Sequence, residues 1–128
     1  MNHLRILHVD DETDIREVAA FALELDPGIE LRSAGSGQAA LSALDAGYAP
    51  DVILLDVMMP GLDGPGTLRL IRERPEHAST PVIFMTARAQ SGELEQYRRL
   101  GALDVIVKPF DPMTLAADVR AVLAGASA

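Results

Sequence analysis

The sequence predicts an α/β domain in which a parallel five-stranded sheet is covered by helices on both faces. Five short apolar runs alternate with longer amphipathic segments, and the runs occupy residues 4–9, 29–34, 52–55, 82–85 and 105–107. The runs are mostly continuous in hydrophobicity, which is typical of strands buried on both faces of a parallel sheet. Five such βα units in succession predict a doubly wound sheet with right-handed crossovers.

Capping residues and periodicity predict the first three helices. An apolar stripe at helical spacing marks the first and comprises Ile15, Val18, Ala19 and Ala22. Ser36 can cap the second helix, and Gly47 can end it. The third begins after Gly64, with Pro65 at the favoured first position, and must stop before Pro75.

Similar signals predict the last two helices. The fourth runs from residue 91 to Gly101. The dipeptide Asp111-Pro112 is expected to open the fifth. The inward-facing positions of that helix are Leu115, Val119, Val122 and Leu123.

Composition restricts the classes of function. The length fits a single domain, 1–128, with an ordered core over about residues 3–124. Absence of cysteine excludes disulfides and thiolate metal sites. The apolar runs are far shorter than the ~20 residues of a membrane helix, and the N-terminal sequence MNHLRILHVDDE reaches its aspartates too early for a signal peptide. We therefore expect a cytoplasmic protein without a membrane contact. The net charge of −8 disfavours direct nucleic-acid binding, which needs a basic face.

Charged and hydroxyl side chains follow four of the five strands. They are Asp10 and Asp11 after the first strand, Asp56 after the third, Thr86 after the fourth and Lys108 after the fifth. Each has an ordinary explanation alone, such as a helix cap, a loop start or a solvated lysine. Function in such sheets lies beyond the carboxyl ends of the strands. Four coincidences there are improbable, so we expect one shared site.

The residue types at this edge indicate phosphoryl chemistry. Clustered carboxylates need a cation, and hard oxygen ligands without His or Cys select Mg²⁺ or Mn²⁺. Mg²⁺ leaves room for a phosphate, and one aspartate, with Asp56 as the candidate, can attack its phosphorus. Lys108, the only lysine beside ten arginines, and the Thr86 hydroxyl can bind phosphoryl oxygens.

Four motifs, HVDDE, LLDVMMPGLDG, MTA and VKPF, occur in order over nearly the whole chain. In these motifs the sequence resembles the receiver domain of two-component response regulators. The resemblance implies a flavodoxin-like (βα)5 three-layer sandwich with strand order 2-1-3-4-5. It also implies a signalling domain that phosphorylates and dephosphorylates itself, rather than a conventional enzyme.

The resemblance also implies roles for individual residues. Asp56 matches the phosphoacceptor, Thr86 the switch hydroxyl and Lys108 the phosphate-binding lysine. Asp11 matches a direct Mg²⁺ ligand, and Asp10 matches an acid that acts largely through water. Beside Asp56 as a ligand, the backbone carbonyl of Met58 is expected to complete the metal ligands.

The implied donor is a histidine kinase or a histidine phosphotransfer protein, and the implied output is a protein partner bound at the face of helix four, strand five and helix five. Because the sequence ends soon after the fifth helix, we expect a stand-alone receiver. A phosphorelay intermediate or phosphate sink without a conformational target is the main alternative. A Mg²⁺-dependent phosphohydrolase and a flavin-binding electron carrier are weaker alternatives, since Val57-Met58 offers no general acid and aromatics are scarce.

Some positions depart from the family pattern or need a separate interpretation. Val105 occupies the position of the family's switch aromatic, which favours the sink alternative slightly. Met58 and Arg88 flank the path of the hydrolytic water, so a long-lived phosphoaspartate is expected. His8 is expected to be a hydrogen-bonded histidine at the edge of the core, and His77 a surface residue.

Overall fold

The computed structural model describes residues 3–88 and 90–127, and strands and helices alternate throughout. The strands are β1 (Leu4–Val9), β2 (Ile29–Ala34), β3 (Val52–Asp56), β4 (Val82–Thr86) and β5 (Asp104–Val107). The helices are α1 (Thr13–Glu24), α2 (Gly37–Asp45), α3 (Gly64–Arg72), α4 (Ser91–Arg99) and α5 (Leu115–Ser127), with a 3-10 turn at Pro75–His77. All strand pairs are parallel, in the order β2-β1-β3-β4-β5, so the expected topology is confirmed.

The sheet separates two hydrophobic layers, because successive side chains of a strand point to opposite faces. In β1, Leu7 and Val9 join the layer beneath α2 and α3, whereas Leu4 and Ile6 join the layer beneath α1 and α5. The central strand β3 is buried along its whole length. This explains its uninterrupted apolar sequence and makes the domain a three-layer sandwich.

Local capping explains where two helices begin. The Ser36 hydroxyl accepts a hydrogen bond from the Ala39 N–H (3.0 Å), as the sequence predicts. The Asp63 carboxylate accepts one from the Gly66 N–H (2.8 Å) and is the N-cap of α3. Gly47 follows α2 with φ of 103°, a conformation that favours glycine. These residues set where α2 begins and ends and where α3 begins.

Two predictions about helices are wrong in detail. The buried face of α1 contains Leu23 with Ala19 and Ala22, whereas Val18 is 42% exposed. The helix α5 begins at Leu115, because a turn precedes it in which the Asp111 carboxylate accepts from the Met113 N–H (2.8 Å). Among the helices of the described residues, none combines the length and apolar character that crossing a bilayer requires.

Candidate functional site

Two buried aspartates lie side by side at the carboxyl ends of the central strands. Asp10 directly follows β1, and Asp56 is the last residue of β3. The two strands are paired with Val9 opposite Leu55, so the next residues of each strand are neighbours too. Asp10 is fully buried and Asp56 is 4% exposed. Such carboxylates need a cation close by, since an unpaired buried charge costs several kcal/mol (about 3 or more).

Lys108 supplies that positive charge from the edge strand. Its Nζ lies 2.8 Å from Oδ2 of Asp10 and 2.9 Å from Oδ1 of Asp56. Lys108 follows β5 directly, and the peptide bond between it and Pro109 is cis. The long unbranched stem reaches past β4, which lies between β5 and β3 in the sheet. The structure thus brings together residues from three strand ends that are far apart in sequence.

Burial and charge shift the pKa values of the pair. Desolvation raises the pKa of Asp56, and the carboxylates of Asp10 and Asp11 raise it further against the opposing hydrogen bond from Lys108. Desolvation acts to lower the pKa of Lys108, but its hydrogen bonds to Asp10 and Asp56 outweigh this and raise the pKa above its ordinary value. Lys108 therefore remains a cation at neutral pH.

Asp11 completes an acidic cluster that fits a hard divalent cation. One carboxylate oxygen from each of Asp10, Asp11 and Asp56 lies within 4.8 Å of the other two. Asp10 and Asp56 are buried, whereas Asp11 is exposed and faces the cluster from the solvent side. Three carboxylates without nitrogen or sulfur ligands suit Mg²⁺ or Mn²⁺. The donor set therefore fits the expected cofactor.

The remaining expected site residues lie around this cluster. Thr86 is buried at the end of β4, where its Oγ1 accepts from the Arg88 N–H (3.1 Å) and its carbonyl accepts from the Lys108 N–H (2.8 Å). Met58, two residues after Asp56, has a side chain that is 69% exposed.

Val105, at the position expected for a switch aromatic, serves in core packing instead. Val105 is partly buried and packs against the hydrophobic layer beneath α2 and α3. Tyr97 of α4 packs against the same layer and contacts Phe84 edge to face, with ring centroids 5.2 Å apart. Phe84 lies two residues before Thr86 in β4, so an aromatic pair does connect this strand to α4.

Sequence reasoning missed two supports of the site and misjudged a third residue. An Arg16 Nη1–H donates to the Asp10 carbonyl (2.7 Å). The Gly64 N–H donates to the Val57 carbonyl (2.9 Å), and a Cβ at Gly64 would lie 2.6 Å from the Asp56 carbonyl oxygen. His8 is fully buried on the strand face of Asp10, as expected of a core histidine, but neither ring nitrogen has a partner, contrary to expectation.

Comparison with known proteins identifies relatives of the chain. The family model of the response regulator receiver domain matches residues 6–120. The transcriptional regulatory protein CseB of Streptomyces avermitilis is 42% identical over 118 residues, which cover 92% of this chain and 48% of that protein. The transcriptional regulatory protein ResD of Bacillus subtilis is 39% identical over 126 residues, which cover 98% of this chain and 50% of that protein. The chain thus spans about half the length of these curated relatives.

Two solved receiver-type structures match this chain over almost their full length. The chemotaxis protein CheY4 of Vibrio cholerae has a TM-score of 0.85 and 30% identity to this chain, and the match covers 94% of this chain and 98% of that one. A receiver domain of a response regulator from Francisella has a TM-score of 0.84 and 28% identity, covering 97% and 99%.

Proposed function

Because the chain belongs to the response regulator receiver domains, we propose that Asp56 accepts a phosphoryl group from a phosphohistidine of a histidine kinase or phosphotransfer protein. A carboxylate oxygen of Asp56 forms the new O–P bond as the N–P bond of the donor breaks, and the imidazole leaves with the electron pair. The observation that carries this proposal is the buried Asp56 carboxylate held 2.9 Å from Lys108 beside the acidic pair.

The surrounding residues have separate tasks in this proposal. Asp10, Asp11, Asp56 and the Met58 carbonyl would hold Mg²⁺ or Mn²⁺, which supplies charge neutralisation for the phosphoryl oxygens when bound. Lys108 loses its Asp56 partner when that carboxylate becomes an acyl phosphate, and its ammonium then pairs with a phosphoryl oxygen. Water later attacks phosphorus, releases inorganic phosphate and restores the Asp56 carboxylate.

The output we propose is a change of conformation read by a protein partner. In the structure the Thr86 hydroxyl accepts a hydrogen bond from the Arg88 N–H. The new charge at Asp56 draws this hydroxyl away from Arg88 and toward the phosphoryl group. Movement at Thr86 changes the adjoining face of α4, β5 and α5, where the partner binds. We place this exchange in the cytoplasm, where histidine kinases expose their donor domains.

The relatives, the net charge and the switch position each bear on the kind of output partner. The relatives CseB and ResD are named transcriptional regulators, and an output through an attached DNA-binding segment is compatible with a chain that spans half of them. The net charge of −8 favours a protein, rather than DNA, as the direct partner of this domain. Val105 at the switch position keeps the phosphate sink as the second candidate.

The direct test is acyl-phosphate labelling with Mg²⁺, followed by intact-mass measurement. Wild type gains one phosphoryl group, and Asp56→Asn gains none. Asp51→Asn is the matched control, since Asp51 lies at the other end of β3 and accepts from the Arg5 N–H (2.7 Å). It should label as wild type does. Equal labelling of all three proteins would refute Asp56 as the phosphoacceptor.

A second measurement separates the switch from the sink. Backbone amide shifts are compared before and after labelling. A switch requires changes in α4, β5 and α5, in addition to changes around Asp56. Changes confined to the residues around Asp56 would support the sink instead.

A further inference from the structure

Arg16 joins the acidic loop after β1 to the start of α1. It lies in the first turn of α1 and is half-buried. One guanidinium nitrogen donates to the Asp10 carbonyl (2.7 Å), and the other donates to the Thr13 hydroxyl (3.2 Å). Both acceptors flank the segment that carries Asp11. The side chain of Arg16 therefore spans this segment from one end to the other.

The same guanidinium also lies against the loop after β2. A Cβ built on Gly35 would lie 3.3 Å from Nη1 of Arg16, 3.6 Å from Cζ and 3.8 Å from Nη2. Glycine at this position lets the flat guanidinium approach the backbone. The Asp10 N–H donates to the Ala34 carbonyl (3.1 Å), which ties the two loops together a second time. The loop that carries Asp11 is thereby held against a neighbouring element.

Every polar group of Asp10 has a hydrogen-bond partner. Its Oδ2 accepts from Lys108 (2.8 Å), its Oδ1 accepts from the Glu12 N–H (2.9 Å), and its carbonyl accepts from Arg16. Asp11 lies between two residues whose backbones are fixed in this way, although its own side chain is exposed. Among these partners of Asp10, Arg16 is the one whose side chain comes from α1.

We infer that Arg16 is a positioning residue for the divalent-cation site, and this inference rests on the cation binding of the proposed function. Arg16 fixes the backbone from Asp10 to Thr13, so that Asp11 presents its carboxylate toward Asp10 and Asp56 without an ordering cost. Groups behind metal ligands commonly change metal affinity by about 10- to 100-fold when removed. Within residues 3–88 and 90–127, the guanidinium forms no hydrogen bond or ion pair with the three carboxylates. It therefore acts through the loop backbone.

The sign of the effect distinguishes positioning from simple electrostatics. A guanidinium close to the acidic cluster repels a divalent cation through space, so removal of its charge alone would tighten cation binding. Loss of positioning instead weakens binding, because the freed loop must be ordered when the cation binds. The two explanations predict opposite changes in the same dissociation constant.

The test is calorimetric titration of Mg²⁺ into the purified chain at a temperature where each variant is folded. Arg16→Met keeps the apolar stem and removes the donors, and its Mg²⁺ dissociation constant should rise by about tenfold. Arg16→Lys keeps the charge and one donor, and it should recover part of the loss. Tighter or unchanged binding in Arg16→Met overturns the inference.

Arg72→Met is the matched control for loss of a loop-clamping arginine. Arg72 also donates to loop carbonyls, at His77 (3.0 Å) and Thr80 (2.7 Å), but these residues lie at the opposite edge of the sheet. Its Mg²⁺ affinity should equal that of wild type even if its stability falls. Equal weakening in both variants would assign the effect to general loosening and overturn the inference.

Asp11→Asn separates failure of this inference from failure of the proposed function. If Asp11→Asn weakens Mg²⁺ binding and Arg16→Met does not, the cation site stands and the positioning role is wrong. If neither variant changes the affinity, the cation is not held by this cluster and the proposed function fails at that point. If Arg16→Met does not fold, Arg16→Lys must bind Mg²⁺ less tightly than wild type, or the inference is wrong.

Discussion

The Lys108 ammonium lies 2.8 Å from Oδ2 of Asp10, although the two residues are 98 positions apart in the sequence. Asp10 is fully buried, and the lysine side chain is 15% exposed. Lys108 thus neutralises at this edge the same carboxylates that a divalent cation would bind. The lysine and the cation are therefore expected to substitute for each other in stabilising the fold.

Substitution of Lys108 by Met should reveal this exchange. The variant leaves the buried Asp10 and Asp56 carboxylates without their cation, so the free energy of unfolding in a chelator should fall by about 3–5 kcal/mol. Added Mg²⁺ should stabilise the variant more than wild type, since the cation then supplies the only neutralising charge. Urea unfolding with and without Mg²⁺ measures both. Lys108→Ala and Lys108→Arg should also impair phosphoryl transfer.

Arg99→Met is the control for loss of an ion pair. Arg99 contacts Glu95 at 2.7 Å on the exposed side of α4, where solvent screens the pair. Its unfolding free energy and its response to Mg²⁺ should match those of wild type. An equal Mg²⁺ response in Lys108→Met and Arg99→Met would contradict the proposed exchange.

Met58→Ala should shorten the life of the phosphorylated state. The Met58 side chain is 69% exposed and lies two residues after Asp56. We expect its bulk to obstruct the attacking water, and the substitution removes that bulk but leaves the Met58 carbonyl in place. We expect hydrolysis to become several-fold faster, with phosphorylation itself retained. Loss of the phosphoryl group is followed by intact mass after the donor is removed. Leu25→Ala, an exposed apolar residue after α1, should leave the rate unchanged.

Much of the fold and of the cluster could be predicted because the relevant signals are local. Continuous apolar runs predicted buried parallel strands, and residues at successive strand ends must meet at one edge of such a sheet. The positions of Asp10, Asp56 and Lys108 at strand ends therefore predict that the three side chains lie close together. The strand order came from resemblance to the family, since periodicity does not determine it.

The wrong predictions concern residues whose burial and contacts are determined by tertiary packing. The helix α1 carries apolar residues on more than one side. Its rotation about its own axis, as it packs on the sheet, determines that Leu23 is buried and Val18 is exposed. His77, expected at the surface, is buried, and its Nδ1 lies 2.9 Å from the Thr80 hydroxyl. The contact of Arg16 with a backbone carbonyl leaves no sequence pattern at all. Such contacts depend on the three-dimensional positions of the side chains.

Gly64→Ala tests how closely α3 approaches the backbone of Asp56 at the end of β3. A Cβ at this position would lie 2.6 Å from the Asp56 carbonyl oxygen and 2.8 Å from Cα of Val57. Both are backbone atoms, so the variant should lose about 1–3 kcal/mol of unfolding free energy. Urea unfolding measures the loss, and labelling by an acyl phosphate should slow because Asp56 is displaced.

Gly92→Ala is the control for Gly64→Ala, because it makes the same substitution at a position without close neighbours. Gly92 lies in α4, and a Cβ there meets nothing within 4 Å. Alanine should stabilise the protein by about 0.4–1 kcal/mol, because it restricts the unfolded chain and favours the helix. A loss in Gly92→Ala as large as that in Gly64→Ala would show that close approach is not the cause.

His8 should make the fold sensitive to mild acid. Burial lowers the pKa of its imidazole from 6.5 to about 4, the largest influence being desolvation, and both ring nitrogens lack partners. Between these values the unfolded chain binds a proton that the folded chain does not, so stability falls as pH drops through this window. The full loss attributable to His8 is about 3 kcal/mol.

His8→Leu should remove this component of the pH dependence. Unfolding free energies are measured by urea in a chelator, from about pH 7 down to about pH 4. Asp56 opposes the trend, because its raised pKa favours the folded state as that carboxyl gains a proton, so the difference between wild type and variant isolates His8. That difference should grow in favour of the variant as pH falls. His3→Gln, at an exposed histidine near Glu30, should follow wild type, and parallel curves for wild type and His8→Leu would show that the buried imidazole does not titrate as described.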